Sequence, residues 1–125
     1  MSILTAEIES FVRQMRLGFV ATVTPDGAPN LSPKGTLTVW DGDHLVFADL
    51  HSPATVENLR RNPAVEVNVI DPVLRKGYRF KGKADLISDG DLFKEIVRFY
   101  DEHGVIDAPR RIHTVVLIRV EQVRP

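Results

Sequence analysis

The chain of 125 residues contains no cysteine, no long apolar run and no excess of either charge. Without cysteine it cannot form disulfides, thiolate nucleophiles or cysteine-ligated zinc and iron–sulfur centres. A net charge of −1 gives no general attraction to nucleic acid or to an anionic membrane. No apolar stretch approaches the roughly 20 residues that span a bilayer. These absences predict a cytoplasmic protein that binds neither nucleic acid nor membrane.

Sequence motifs for secretion, metal binding, nucleotide binding and hydrolytic catalysis are also missing. The first residues lack a basic region followed by an apolar run, so no signal peptide is expected. The four histidines, His44, His51, His103 and His113, show no metal-ligand spacing, and no metal site is predicted. The sequence has no glycine-rich dinucleotide fingerprint, no P-loop and no Ser/His/Asp arrangement. At this length, residues 1–125 are expected to form one domain.

Hydrophobic periodicity predicts a mainly β protein, a β-barrel with flanking helices. Apolar residues recur at helical spacing from Ile8 to Met15, with Thr5 as the cap and Gly18 as the end of that helix. Tight turns join most neighbouring strands, so the sheet is expected to be antiparallel and to close into a barrel. The pattern predicts strands near 18–24, 28–32, 36–41, 44–49, 64–70, 77–87 and 113–122, and helices near 5–15, 53–61 and 89–103.

The last strand is the most apolar part of the chain. Residues 114–118 are continuously apolar, which indicates a strand covered on both faces. Because one small barrel would cover only one of those faces, this run predicts a homodimer. The helix before it is expected to be capped by Ser88 and to bury Leu92, Ile96 and Phe99.

A polar segment interrupts the strand-like sequence at Ser32, Pro33, Lys34, Gly35 and Thr36. One interpretation is a β-bulge or an irregular edge, because Pro cannot donate to a ladder and Gly weakens a strand. The other is a binding site. Pro33 frees backbone groups on a neighbour, Gly35 lets a ring approach closely, and Lys34 places a positive charge near an electron-rich acceptor. On the residues alone both interpretations stay open.

A second polar segment, Ser52 to Thr55, begins a predicted helix with Pro53 at its first position. Plain N-capping is one interpretation, and anion binding is the other, because a helix N-terminus offers unpaired N–H groups. A bound phosphate normally adds an Arg or Lys side chain. The candidates are Arg60, Arg61 and the strand face of Arg79, Lys81 and Lys83. The two polar segments together suit a flat polar ring and a phosphate, which is the shape of flavin mononucleotide (FMN).

In order and spacing, these segments resemble the FMN-binding split-barrel superfamily, that of pyridoxamine 5′-phosphate oxidase and the small FMN-binding proteins. The resemblance covers about residues 18–84, through the motifs FVATV, PDGAP, SPKGT, ENLRRNPAV and GYRFKGKA. It implies a six-stranded antiparallel split barrel and a homodimer with FMN at the interface. It also implies a flavin-dependent oxidoreductase that acts on a small-molecule substrate. The alternatives are a split barrel that binds deazaflavin F420 or heme, and a non-catalytic barrel dimer without flavin.

The resemblance further implies the site residues. The segment that edges the flavin ring maps to Ser32, Pro33, Lys34, Gly35 and Thr36. The phosphate site maps to the helix start, at Ser52, Ala54, Thr55 and Asn58. Arg79 maps to a strand position that reaches across to the partner's flavin. Many relatives carry a basic residue where this chain has Ala54 or Thr55, so the phosphate charge is expected to come from Arg79 or Arg60.

Overall fold

The computed structural model describes residues 2–50 and 53–125. Its helices are α1 (Ala6–Met15), α2 (Pro53–Arg61), α3 (Gly90–Glu102) and α4 (Ala108–Arg111). Its strands are β1 (Gly18–Val23), β2 (Pro29–Lys34), β3 (Thr38–Asp41), β4 (His44–Asp49), β5 (Ala64–Asp71), β6 (Lys76–Ile87) and β7 (Thr114–Arg124). Every strand pair is antiparallel, in the order β2-β1-β5-β6-β7-β4-β3.

The mainly β antiparallel architecture with flanking helices is therefore confirmed. The six strands implied by the resemblance are wrong, because the four-residue β3 pairs with β4 at one edge and makes the sheet seven-stranded. The seven strand ranges predicted from the pattern each correspond to one of these strands. At the other edge, β2 continues two residues further than predicted, through Pro33 to Lys34. Proline is tolerated there because an edge strand has one side without a ladder.

Two hydrophobic clusters lie on opposite faces of β7. Successive strand side chains point to opposite faces, so Ile118 packs inside the barrel with Phe47 and Phe80. Leu117 packs in the second cluster with Ile96 of α3. The apolar run is thus covered on both faces, as predicted. The barrel covers one face, and α3 and α4 of the same chain cover the other. The apolar run therefore does not require a second subunit, and the homodimer does not follow from it.

The first helix begins as predicted and ends earlier than Gly18. The Thr5 hydroxyl accepts a hydrogen bond from the Ile8 N–H at 3.3 Å, which is an N-cap. After Met15, Arg16 adopts a left-handed conformation (φ 59°), and its N–H donates to a carbonyl of the last turn. Gly18 instead opens β1, where a Cβ atom would collide with the side chain of Leu37.

The third helix differs from its prediction in cap and buried face. Asp89 precedes it, while the Ser88 hydroxyl shares a hydrogen bond with Thr114 at 3.1 Å. Its buried residues are Ile96, Val97 and Tyr100, whereas Leu92 is exposed and Phe99 half-buried. The buried face thus follows Ile96 and Tyr100, one helical turn apart. The four-residue α4 was not predicted, because it is too short to show a period. Among the described helices, none has the length and apolarity needed to cross a bilayer.

Candidate functional site

Four predicted site residues line one small cavity at the open end of the barrel, where β2 turns toward β3 and β4 runs toward α2. Its volume is about 160 Å³. We call it the Lys34 cavity, and its walls are Pro33, Lys34, Gly35, Thr36, Ala48, Asp49 and Leu50. The cavity thus combines the polar segment of β2 with the end of β4. Ser32 is half-buried one pleat away and is not one of the wall residues.

Lys34 is the unusual residue of this cavity. It is only 5% exposed, although lysine is rarely buried without a partner. Within the described part of the chain, its Nζ has no hydrogen-bond partner, and it lies 5.7 Å from the centroid of the Phe47 ring. Burial lowers the pKa of Lys34, and the charge of Asp49 opposes that shift in part. The site therefore holds a buried ammonium that nothing in the described chain neutralises by contact.

Thr36 fixes the corner that follows Lys34. Its hydroxyl donates to the Ala48 carbonyl and accepts from the Ala48 N–H, both at 3.0 Å. The Thr36 carbonyl accepts a further hydrogen bond from the Tyr100 hydroxyl at 2.8 Å. Burial raises the pKa of Tyr100, so the phenol stays protonated and remains a donor. These three bonds hold the corner against β4 and α3 before any ligand arrives.

Gly35 leaves open space on the rim of the cavity. A Cβ atom built there would meet no atom within 4 Å, and the residue is exposed. The packing of the chain itself therefore does not require glycine at this position. This fits the expectation that a ligand approaches the backbone here.

The start of α2 supplies the other predicted residues, in two different environments. Ala54 is exposed and Thr55 is 1% exposed, while Ser52 lies outside the described residues. Asn58 is buried, and its Nδ2 donates to the Thr22 hydroxyl at 3.0 Å. Asn58 thus ties α2 to the barrel, a role that its mapping to a phosphate site did not include.

The arginines expected to hold a phosphate lie elsewhere. Arg60 and Arg61 are in the last turn of α2, at the opposite end from its start, and both pair with Glu57, at 3.6 and 3.5 Å. Arg79 is exposed on β6, three strand positions from β2. It lines a separate cleft of about 530 Å³ together with Arg75. The structure brings none of these arginines to the Lys34 cavity of the same chain.

The sequence did not point to a second cleft, of about 440 Å³, on the outer surface of β1, β5 and β6. Lys81 and Lys83 line it together with Glu66 and Glu121, and Lys81 lies 4.0 Å from Glu66. The alternation of the lysines was visible in the sequence. Glu121 was not, because its place depends on the register of β6 with β7, which shifts at residues 81–82. Across residues 2–50 and 53–125, no cluster of three potential metal ligands occurs.

Comparisons with known proteins agree with this architecture. A family model described as pyridoxamine 5′-phosphate oxidase matches residues 4–125. An uncharacterized protein of Methanocaldococcus jannaschii is 28% identical over 78 residues, which are 61% of this chain and 52% of that protein. The chain therefore spans about half the length of the curated relative that it matches.

Solved structures share the fold over nearly the whole chain. HupZ of Group A Streptococcus has a TM-score of 0.85 at 25% identity, covering 97% of this chain and 92% of HupZ. A structure named F420 reductase has a TM-score of 0.72 at 26% identity, covering 93% of this chain and 94% of that structure. HutZ, the heme storage protein of Vibrio cholerae, has a TM-score of 0.80 at 22% identity, covering 97% and 93%, which shows the fold alone.

Proposed function

The chain belongs to the pyridoxamine 5′-phosphate oxidase family, and from that premise we propose that it is an FMN-binding flavoprotein, a flavin-dependent oxidoreductase acting on a small molecule. The observation that carries the proposal is the Lys34 cavity. There the polar segment and the end of β4 leave a buried cation without a contact partner. A stable protein rarely keeps such a group unless a ligand compensates it.

The residues present fit an anionic cofactor. Lys34 offers a positive charge, and the open side of Gly35 leaves room beside the backbone. Three hydrogen bonds through Thr36 hold the segment in place. The proposed cofactor site keeps Ser32, Pro33, Lys34, Gly35, Thr36, Ser52, Ala54, Thr55, Asn58 and Arg79. Bound FMN would supply the electron transfer, and the chain would bind and orient it and shield it from water.

The proposal includes a homodimer with the flavin at the interface. Its support lies on β2 and its neighbours, where Leu31 is 69% exposed beside Pro33 on the outer surface of an edge strand. Arg79, which is remote from the Lys34 cavity of its own chain, would then serve the flavin of the partner subunit. Sedimentation at micromolar concentration tests this part, and a 14.0 kDa species would contradict it.

Cofactor extraction from the purified protein tests the main proposal. We expect a yellow protein with the two visible bands of oxidised flavin, and a released compound that co-elutes with FMN. Apoprotein made by removing that compound should regain the spectrum on addition of FMN. A colourless protein that ignores added FMN would favour a non-catalytic barrel dimer.

The second candidate is the same barrel loaded with deazaflavin F420, favoured by the similarity to the structure named F420 reductase. F420 also carries phosphate, so the Lys34 cavity suits it on the same grounds. Heme is less well supported, because two of the described histidines are engaged in contacts of their own. His44 contacts Asp41 at 2.8 Å, and His103 contacts the Phe99 carbonyl at 2.7 Å. A single visible band in place of the flavin pair would favour deazaflavin or heme, and mass spectrometry of the extract separates the two.

A further inference from the structure

We propose that the cleft at the β5–β6 hairpin binds the acid group of a carboxylate-bearing small molecule, and that Arg75 determines this specificity. The cleft has a volume of about 530 Å³, and its walls include Ile70, Arg75, Gly77 and Arg79. We call it the Arg75 cleft. That it binds a carboxylate follows from the hairpin alone. That the bound molecule is the substrate of the flavin rests on the proposed function.

Arg75 has an unusual backbone conformation in the turn between β5 and β6. Its φ is 55°, in the left-handed region that favours glycine and costs free energy for a residue with a long side chain. The turn is already held by Asp71, whose carboxylate accepts hydrogen bonds from the N–H groups of Val73 and Leu74 at 3.0 and 3.1 Å. Asp71 also lines the cleft, but one of its oxygens is engaged in these two bonds. A strained residue that lines a cleft indicates a function for its side chain.

The cleft presents two guanidinium groups that have no partner in the part of the chain that the structure describes. Neither Arg75 nor Arg79 forms an ion pair or a side-chain hydrogen bond there, whereas both arginines of α2 pair with Glu57. The neighbouring Lys76 is engaged differently, with its Nζ 5.5 Å from the centroid of the Phe11 ring. A guanidinium can donate two parallel hydrogen bonds to one carboxylate. The pair of free guanidinium groups therefore favours a carboxylate ligand.

The surface between the two arginines is open and partly apolar. Gly77 lies midway between Arg75 and Arg79 in sequence and pairs across the ladder with Ile70, which is 44% exposed. A Cβ atom on Gly77 would come within 2.6 Å of the Val69 carbonyl oxygen, so this position admits no side chain. The volume of the cleft is within the roughly 300–1,000 Å³ of small-molecule pockets. The cleft therefore suits an acid group that is attached to an apolar body.

The proposed homodimer relates this cleft to the flavin. The cleft is remote from the Lys34 cavity of its own chain, and Arg79 is proposed to serve the flavin of the partner subunit. Because Arg75 lines the same cleft as Arg79, a carboxylate bound by Arg75 would lie beside that flavin. One subunit would then hold the substrate, and the other would hold the cofactor.

NMR titrations of the full chain with benzoate and benzamide test carboxylate binding. The two probes have nearly the same shape and differ in charge, and ionic strength is kept constant. The variants are Arg75→Gly and Arg75→Lys, with Arg16→Gly as the matched control. Arg16 is also exposed and also left-handed (φ 59°), but it ends α1 and is not a wall residue of the cleft. Its replacement therefore removes the same charge and the same kind of backbone strain elsewhere.

We expect benzoate to bind the wild type and Arg16→Gly alike, with shifts at the amides of Asn68, Gly77 and Arg79, and benzamide to bind far more weakly. Arg75→Gly should lower benzoate affinity about tenfold, the value of one charge-assisted hydrogen bond. Arg75→Lys should be intermediate, because an ammonium keeps the charge without the planar fork. Equal benzoate affinity in Arg75→Gly and the wild type would overturn the site, and so would an equal loss in Arg16→Gly.

Loss of folding would not explain the expected result. Glycine adopts a φ of 55° without strain, so the melting temperature of Arg75→Gly should be no lower than that of the wild type. Thermal melting of each variant checks this, and Arg75→Lys gives a second measure of the site that keeps the side chain and its charge.

The visible spectrum of the FMN-loaded protein tests whether the bound molecule lies beside the flavin. Benzoate should shift the flavin bands of the wild type and of Arg16→Gly, but not those of Arg75→Gly at the same concentration. If benzoate binds through Arg75 and the bands do not move, the cleft is not the substrate site. If the protein binds benzoate through Arg75 but no FMN, the carboxylate site stands and the proposed function fails. If FMN binds and benzoate does not, the proposed function stands and the Arg75 cleft is overturned.

Discussion

Buried polar side chains on the adjacent strands β1 and β2 differ sharply in their partners. Thr22 on β1 is 2% exposed, and its hydroxyl accepts a hydrogen bond from Asn58 of α2. Lys34 on β2 is 5% exposed and has no hydrogen-bond partner among the described residues. A satisfied buried polar pair fastens one element to another, whereas an unsatisfied charge destabilises the fold. The Thr22–Asn58 pair therefore stabilises the fold, whereas a buried charge such as Lys34 is typical of a ligand-binding site.

The largest loss of stability is expected when the hydrogen bond between Asn58 and Thr22 is removed. Asn58→Ala removes the hydrogen bond to Thr22 and leaves a space under α2. We expect the free energy of unfolding to fall by about 2–3 kcal/mol, from the lost buried hydrogen bond and the lost packing, since Thr22 keeps only the longer hydrogen bond from Asn30 at 3.4 Å. Urea denaturation measures this change.

A double-mutant cycle sharpens the same test. Thr22→Val combined with Asn58→Leu replaces both partners by apolar side chains, which is expected to cost less than the two single changes added together. A loss below about 0.5 kcal/mol in Asn58→Ala would mean that the pair does not fasten α2 to the barrel.

The corner beside Lys34 should depend on Thr36 to a smaller degree. Thr36→Val keeps the shape of the side chain but leaves the N–H and carbonyl of Ala48 without their partner. We expect a loss of about 1–2 kcal/mol in urea denaturation and weaker FMN binding, because the cavity wall is no longer held. Tyr100→Phe removes only the bond to the Thr36 carbonyl and should cost about 0.5–1.5 kcal/mol. A Thr36→Val protein as stable as the wild type would show that the corner does not need these bonds.

Replacement of Lys34 should change stability in the opposite direction from the changes above. Lys34→Met removes a buried ammonium, so the free energy of unfolding of the ligand-free protein should rise by about 1 kcal/mol near neutral pH. The folded-state pKa of Lys34 lies below its ordinary value of 10.5, so the unfolded chain binds more protons between those two values. Wild-type stability should therefore gain a contribution as pH rises through that interval, and Lys34→Met should lack it. Unfolding curves of both proteins from neutral to alkaline pH measure the difference. Destabilisation by Lys34→Met would indicate a structural role for the amine.

The smallest effect on stability is expected at the exposed cluster of Asp41, Asp43 and His44. It shows how little an exposed polar group contributes compared with the two buried ones. Partial burial raises the pKa of Asp41, but hydrogen bonds from the Asp43 N–H and the His44 ring outweigh it and lower the pKa below 3.8. The stabilisation is thus present above that value and lost as pH falls through the folded-state pKa. Because the side chain is half exposed, we expect less than about 0.5 kcal/mol. Acid titration of stability in the wild type and Asp41→Asn measures it, and equal curves would remove the cluster as a contributor.

The strands and the order of elements were predictable because the chain alternates apolar and polar residues and separates the strands by strong turn signals. Residues 65–69 and 78–84 alternate between apolar and polar positions, and the two strands pair with each other. Helix details were less predictable. A cap can shift by one residue, as from Ser88 to Asp89, and a four-residue helix such as α4 shows no period.

The candidate site was predictable as a segment but not as an arrangement. The residues Pro33, Lys34, Gly35 and Thr36 stood out by composition, and they line one cavity. The burial of Lys34 depends on Phe47 and Asp49, which lie more than ten positions away in sequence. Their meeting follows from the curvature of the sheet, which brings the end of β2 against β4 and which no local pattern encodes. The same reason hid Glu121, whose place depends on a shifted strand register.

The position of β7 between two clusters has a consequence for how the molecule comes apart. Ile118 belongs to the barrel cluster and Leu117 to the cluster beneath α3 and α4. Loss of α3 and α4 would expose one face of β7, and the other face of β7 packs in the barrel cluster. The barrel and the helices should therefore melt as one cooperative unit, and the backbone amides of β7 should be among the slowest to exchange with deuterium. We therefore expect the chain to unfold as a single foldon, although its core consists of two clusters.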